Sequence, residues 1–263
     1  MIVTANIWMR CQNACPYCVA HIQDRSTDKF DDGRDFGEVL DVHALLRWLD
    51  KFRPSARLHV SGGEPLLYPK IEKWIETAVK AGRKVTILTN GQSIHQRPKL
   101  HSLPINWIVT CHRSANIDPK EYTKNLEGIK NRNVEIRTII RREDYDTEAE
   151  YTNELKSAFE GFLFRPRYAS FENKTARIWG IPEPEDFDHI ASRTITLVEN
   201  DGKVYPCNSK HAGAIGSVYD MTLDDTLARE CDAASRVCAE RQQCGALNTA
   251  LWEQHLERTG VWK

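Results

Sequence analysis

Over the first 168 residues, apolar positions follow two alternating periods. Short strand-like runs at Ile2–Met9, Arg57–Val60, Lys84–Thr89, Ile105–Thr110, Val134–Ile140 and Gly161–Arg165 predict six strands. Helical spacing over Val42–Phe52, Tyr68–Ala81, Pro119–Asn131 and Thr147–Phe159 predicts the helices between them, with a shorter segment near Pro98–His101. This alternation implies an α/β fold with a parallel sheet and right-handed crossovers. In the fifth strand Val134, Ile136, Thr138 and Ile140 share one face; Glu135, Arg137, Ile139 and Arg141 share the other. The apolar face should meet the helices. The charged face should then point inward, where a charge needs a partner. For Arg137 that partner is either Glu135 or an anionic ligand. The sixth strand brings Arg165 and Arg167 to one face, a second place for an anion.

Beyond residue 180 the pattern changes. Arg193–Val198 and Lys203–Pro206 flank Glu199-Asn200-Asp201-Gly202, a hairpin signal with Asp-Gly at the turn. Cys207 follows, then Gly216, a helix near Leu223–Glu230, and Cys231, Cys238 and Cys244. The expected division is a domain over 1–180 and a small hairpin-plus-helix appendage over 181–263. The loop from His21 to Phe36 is long and charged, either a flap or an exposed connection.

Composition narrows the possibilities. The chain has 263 residues, 41% of them apolar, with a net charge of −1. That allows one large domain with a sizeable core plus an appendage. No run of about eighteen apolar residues predicts a membrane span, and the N-terminus enters a strand without a signal pattern. Eight cysteines in such a chain point to a reducing cytoplasm and to metal ligation rather than disulfides. A dedicated nucleic-acid binder would carry a basic excess. Lys130, Arg132, Arg137, Arg141 and Arg142 do cluster, but Glu143, Asp144, Asp146, Glu148, Glu150 and Glu154 follow at once, which reads mostly as a solvated surface.

The chemistry is concentrated near the N-terminus. Cys11, Cys15 and Cys18 have C-x3-C-x2-C spacing on the loop after the first strand. Three thiolates can ligate three irons of a [4Fe–4S] cluster and leave the fourth iron open; a zinc knuckle or chance clustering is the alternative. Ser61-Gly62-Gly63-Glu64-Pro65 ends the second strand, Thr89-Asn90-Gly91 the third, and Thr110 the fourth. Each alone also fits an ordinary strand end or turn. Cys111 and His112 follow Thr110, facing the expected substrate region; a relay or acid/base role competes with a free core thiol at Cys111.

Together the three cysteines and the Gly-Gly-Glu element resemble the radical S-adenosylmethionine (SAM) superfamily, with a C-terminal part similar to the twitch or SPASM auxiliary-cluster appendage. The resemblance implies a partial six-stranded (β/α) TIM-like barrel whose site lies at the C-terminal strand ends. It implies an oxygen-sensitive enzyme in which Cys11, Cys15 and Cys18 hold the first cluster. SAM would be contacted by Tyr17, Gly62, Gly63, Glu64, Pro65, Asn90, Thr110 and Arg137. Gly62 and Gly63 would admit the methionine part, Glu64 would accept from its amino group, and Arg137 would hold its carboxylate. A low-potential donor such as flavodoxin or ferredoxin would reduce the cluster, and a 5′-deoxyadenosyl radical would abstract hydrogen from a substrate C–H bond.

In the appendage Cys207, Cys231, Cys238 and Cys244 would bind one auxiliary [4Fe–4S] cluster, with zinc as the alternative and His211 as a substitute ligand. The match there is partial. Met221 stands where the family often has another Cys, and the close C-x2-C pair of the two-cluster form is absent.

The substrate does not follow from the fold. The expected order is a small molecule or amino-acid-like group, then a modified base within nucleic acid, then a peptide. Because the chain starts at its first strand, an N-terminal peptide-recognition domain is not expected. No membrane partner is expected. A reading from another class is a non-catalytic Fe–S or zinc-binding protein on the same fold.

Overall fold

The computed structural model describes residues 1–13, 15, 18, 38–129, 132–141, 145–172, 175–177, 195–205 and 213–224. Its first six strands are β1 (Ile2–Trp8), β2 (Arg57–Gly62), β3 (Val85–Thr89), β4 (Asn106–Cys111), β5 (Val134–Arg141) and β6 (Leu163–Glu172). Helices α1 (Val42–Phe52), α2 (Ile71–Lys80), α3 (Pro119–Leu126) and α4 (Tyr145–Ala158) lie between them. Neighbouring strands from β1 to β6 pair in chain order and in parallel. The expected parallel α/β sheet is therefore present.

Strand parity places the core. On β1, Val3, Ala5 and Ile7 are fully buried and join Leu45, Trp48 and Leu49 of α1 in the main cluster. Thr4 and Asn6, on the opposite face, are only half-buried. β5 behaves as its alternation demands: Val134, Ile136, Thr138 and Ile140 are buried, and Glu135 and Arg137 occupy the other face. There Arg137 pairs with Glu135, the partner that an inward charge requires. His59 of β2 shares this interior. Burial first, and then the charges of Arg137 and Arg57, lower its pKa to about 4, so it is a neutral imidazole.

The helices begin where local chemistry allows. Asp41 caps α1 by accepting from the Ala44 N–H at 2.6 Å, and Asp118 caps α3 from Lys120 N–H at 2.7 Å. Pro119 occupies the first turn of α3, where it needs no N–H partner. α3 is shorter than its sequence pattern and passes into a 3-10 turn at Glu127–Ile129.

The hairpin signal is realised as β8 (Ile195–Val198) and β9 (Lys203–Tyr205), with Gly202 at φ +80° in the turn between them. A further short strand, β7 (Thr175–Arg177), pairs with the end of β6, which runs longer than its sequence pattern. β8 pairs in parallel with β1, so the hairpin extends the main sheet. β10 (Gly216–Ser217) and β11 (Thr222–Leu223) continue this edge. Leu223, the expected start of a helix, therefore lies in a strand; the rest of that segment is outside the described residues. Trp48 of α1 fixes the edge by donating to the Thr222 carbonyl at 3.0 Å.

The charged run around β5 and α4 is not all surface. Arg132 is exposed, but Arg137 is interior and Glu148 is 1% exposed against Arg113. No helix among the described residues is long and apolar enough to cross a membrane.

Candidate active site

Backbone and side-chain hydrogen bonds together gather the motif residues at the strand ends. Gly63 N–H donates to the Trp8 carbonyl at 2.9 Å and Glu64 N–H to the Arg10 carbonyl at 2.8 Å. The end of β2 is thereby bonded to the stem of the cysteine loop. Both glycines are required by that approach. A Cβ on Gly62 would lie 2.1 Å from the Trp8 oxygen, and one on Gly63 would lie 2.5 Å from the Arg10 oxygen. Gly62 also has φ +142°, a conformation that side chains avoid. What the glycines admit in this structure is the loop backbone.

Glu64 is 0% exposed. Its Oε1 accepts from Thr89 Oγ1 at 2.8 Å and from Leu66 N–H at 3.0 Å, and its Oε2 accepts from Asn90 N–H at 2.7 Å. Burial raises its pKa to about 7, and the three donors pull the other way. The carboxylate is enclosed and braces the end of β2 to the end of β3. Pro65 is buried and opens the 3-10 turn Pro65–Leu67 beneath this brace.

Asn90 links the brace to the cysteines. Its Oδ1 accepts from Gln92 N–H at 3.1 Å and from Gln12 Nε2 at 3.4 Å, and its Nδ2 lies 4.0 Å from Cys11 Sγ. Gln92 Nε2 donates to Asn13 Oδ1 at 2.7 Å. Gln12, Asn13 and Gln92 therefore belong to the site although no sequence motif marked them. The nearest signal was their adjacency to Cys11 and to Asn90-Gly91.

Cys11 Sγ accepts from Asn13 N–H at 3.4 Å, and Cys18 N–H donates to the Cys15 carbonyl at 3.1 Å. Burial pushes the Cys11 thiol up to about 11, with smaller pushes from Glu64, Cys15 and Cys18 and an opposing pull from the Asn13 N–H. Cys11, Cys15 and Cys18 are free thiols on one loop, and this donor set fits three irons of a [4Fe–4S] cluster with the fourth left open.

On the far side, Thr110 is half-buried and lies in register with Arg137. Cys111 is fully buried, on the face it shares with Trp107 and Val109, and burial raises its pKa further than that of Cys11. Cys111 thus has the surroundings of a core thiol. His112 is half-buried at the strand end; burial lowers its pKa to about 4, and its N–H donates to Tyr122 Oη at 3.3 Å. Arg165 lies in register with Arg137 on β6. Tyr17, Cys207, His211, Cys231, Cys238 and Cys244 lie outside the described residues.

A three-thiol loop bound to a Gly-Gly strand end, on a parallel α/β sheet, defines a class of site, and the comparisons agree with it. Residues 6–160 match the model of the radical SAM superfamily, so the chain belongs to that superfamily and is an enzyme. No protein of curated function matches the chain in sequence. Solved structures share its fold at low identity. Streptococcus suis SuiB bound to S-adenosylmethionine is 15% identical over 94% of this chain and 71% of its own, with a TM-score of 0.63. SuiB bound to precursor peptide SuiA is 14% identical over 94% and 70%, with a TM-score of 0.61. The anSMEcpe protein with bound AdoMet is 15% identical over 93% and 85%, with a TM-score of 0.60.

Proposed function

We propose that this enzyme cleaves SAM reductively at Cys11, Cys15 and Cys18 and removes a hydrogen atom from a C–H bond of a small, polar or amino-acid-like substrate. The observation that carries the reading is the joining of the cysteine loop to the Gly62-Gly63 strand end by two backbone hydrogen bonds. When bound, the [4Fe–4S] cluster and SAM supply the electron and the 5′-deoxyadenosyl group for this chemistry. The chain's part is binding, orientation and exclusion of water. Cys11, Cys15 and Cys18 hold the cluster and leave one iron for SAM. Asn90, Thr110 and the Tyr17 ring hold the cofactor from the β3, β4 and loop sides. Arg137, paired with Glu135 in the interior, holds the SAM carboxylate. His112, neutral at working pH, is the acid/base group at the strand end. Domain 1–180 carries this site, and 181–263 forms the appendage. There Cys207, Cys231, Cys238 and Cys244 hold one auxiliary [4Fe–4S] cluster; the support is the Asp-Gly hairpin ahead of Cys207, docked on β1. Flavodoxin or ferredoxin is the donor class that suits a low-potential cluster in a cytoplasmic enzyme.

A second reading, a peptide substrate, is favoured by one observation: the fold neighbours include SuiB bound to precursor peptide SuiA. A base within nucleic acid has the weaker support, since Arg137 is turned inward.

The test is anaerobic reconstitution with iron and sulfide, then reductant and SAM. The wild type should form 5′-deoxyadenosine, and the triple Ala variant at Cys11, Cys15 and Cys18 should form none and lose about four irons. Cleavage of SAM by the triple variant would refute the assignment. Deuterium transferred from labelled small metabolites or peptides into 5′-deoxyadenosine identifies the substrate class.

A further inference from the structure

The turn after β4 brings a side chain from a distant part of the sequence to the cysteine loop. Ser114 Oγ lies 3.5 Å from Cys15 Sγ, across 99 positions of sequence. The turn that presents it, Arg113–Ala115, is fixed on several sides. His112 N–H donates to Tyr122 Oη at 3.3 Å, and Tyr122 is fully buried. Arg113 Nε pairs with Glu148 of α4 at 3.5 Å, and the Glu148 side chain is 2% exposed. Asn116 closes the turn in the left-handed region, at φ 53° and ψ 42°, and its N–H donates to the Arg113 carbonyl at 2.9 Å. A hydroxyl held this way is placed by the fold, and its acceptor is one of the three motif thiols.

We propose that Ser114 is a positioning residue that donates its hydroxyl hydrogen to the Cys15 sulfur and so sets the reduction potential of the cluster. The inference rests on the assignment of Cys11, Cys15 and Cys18 as the cluster ligands. Its physical basis is charge. Reduction adds one electron, supplied by the external low-potential donor, and part of that charge resides on the cysteine sulfurs. A donor to sulfur stabilises the reduced form more than the oxidised form and makes the couple easier to reduce. Cys11 receives such a donor from within its own loop, the Asn13 N–H at 3.4 Å. Cys15 receives one from the end of β4, so the potential is tied to the strand end where Thr110 and His112 lie. Glu148 and Arg113 act one step further out by holding the turn.

The experiment is a potentiometric titration of the reconstituted enzyme with titanium(III) citrate, followed by electron paramagnetic resonance. The signal followed is the one that changes when SAM is added, which separates it from any cluster at the other cysteines. Ser114 is exposed, so Ser114→Ala removes the hydroxyl without opening a core cavity. The expected result is a full complement of iron and sulfide with a more negative midpoint. The shift should correspond to about a tenfold lower ratio of reduced to oxidised cluster at fixed potential, or about 59 mV for one electron. Ser114→Thr keeps the hydroxyl and should restore the wild-type midpoint. A wild-type midpoint in a fully loaded Ser114→Ala protein would overturn the proposal. If Ser114→Ala fails to load, Ser114→Thr decides: normal loading and midpoint support the hydroxyl, and failure of Thr as well overturns it. If no signal in the wild type responds to SAM, the cluster assignment itself has failed, and that outcome is distinct from an unchanged midpoint.

Discussion

Two buried carboxylates, Glu64 and Glu148, are satisfied in opposite ways. Glu64, at the end of β2, is enclosed among neutral donors: two backbone N–H groups and the Thr89 hydroxyl. Glu148, on α4, is equally hidden but faces the guanidinium of Arg113. The first holds backbone, and through Asn90 it orders the Cys11 side of the loop. The second holds a turn, and through Ser114 it reaches the Cys15 side. The difference teaches that a carboxylate without a countercharge can still brace two strands, at the cost of titrating near neutrality.

The comparison breaks most readily at Glu64. Glu64→Ala leaves Leu66 N–H, Thr89 Oγ1 and Asn90 N–H without their acceptor, each costing about 1–3 kcal/mol. A loss of about 3–5 kcal/mol is expected at pH 6, seen as a fall of about 10 °C in Tm by circular dichroism, together with poor cluster loading. Glu148→Ala should cost about 1 kcal/mol, because the Arg113 side chain is 35% exposed and water can take over. Equal losses in the two variants would erase the distinction.

The next effect sharpens the contrast through pH. The folded pKa of Glu64 is raised from its ordinary 4.5 to about 7. Between these values the folded state binds more protons than the unfolded one, so its contribution to stability falls as pH rises through 7. His59 and His112 act oppositely. Their folded values of about 4 lie below the ordinary 6.5, so stability falls as pH drops from 6.5 to 4. Urea denaturation of wild type and Glu64→Gln across pH 4–8 separates the two. The difference between the proteins should change by about 2–3 kcal/mol between pH 5 and pH 8. A flat difference would show that Glu64 does not titrate there.

The smallest effect lies away from both braces. Cys111→Ala should cost about 1 kcal/mol as a lost core contact while 5′-deoxyadenosine formation is unchanged. Loss of SAM cleavage in a folded, cluster-loaded variant would give Cys111 a role in the reaction.

Much of the frame was legible in sequence. The pattern over Val42–Phe52 matches the bounds of α1, and the alternation through Val134, Ile136, Thr138 and Ile140 sorted the faces of β5. For Cys111 the sequence left a core thiol and a role in the substrate region both open, and the structure buries it beside Trp107 and Val109. The partners of Glu64 were not legible. They depend on the lateral placement of β2 beside β3, which local pattern does not encode. The same holds for Ser114 and Cys15, and for Gln12 and Gln92, which meet only after the strand ends align. The segment at Leu223 reads as a helix start, but pairing with Gly216 makes it a strand: tertiary context overrides local propensity.

The pairing of β1 with β8 has a consequence for how the molecule is made. Ile2 faces Arg57 on one side and Ile195 on the other. On the ribosome, at about 5–20 residues per second, the first strand waits roughly 10–40 seconds for its second neighbour. Through that interval the strand that leads into the three-cysteine loop is an open edge, a template for wrong partners. The slow step in folding is therefore expected to be the pairing of β8 with β1, across about 190 residues of intervening chain.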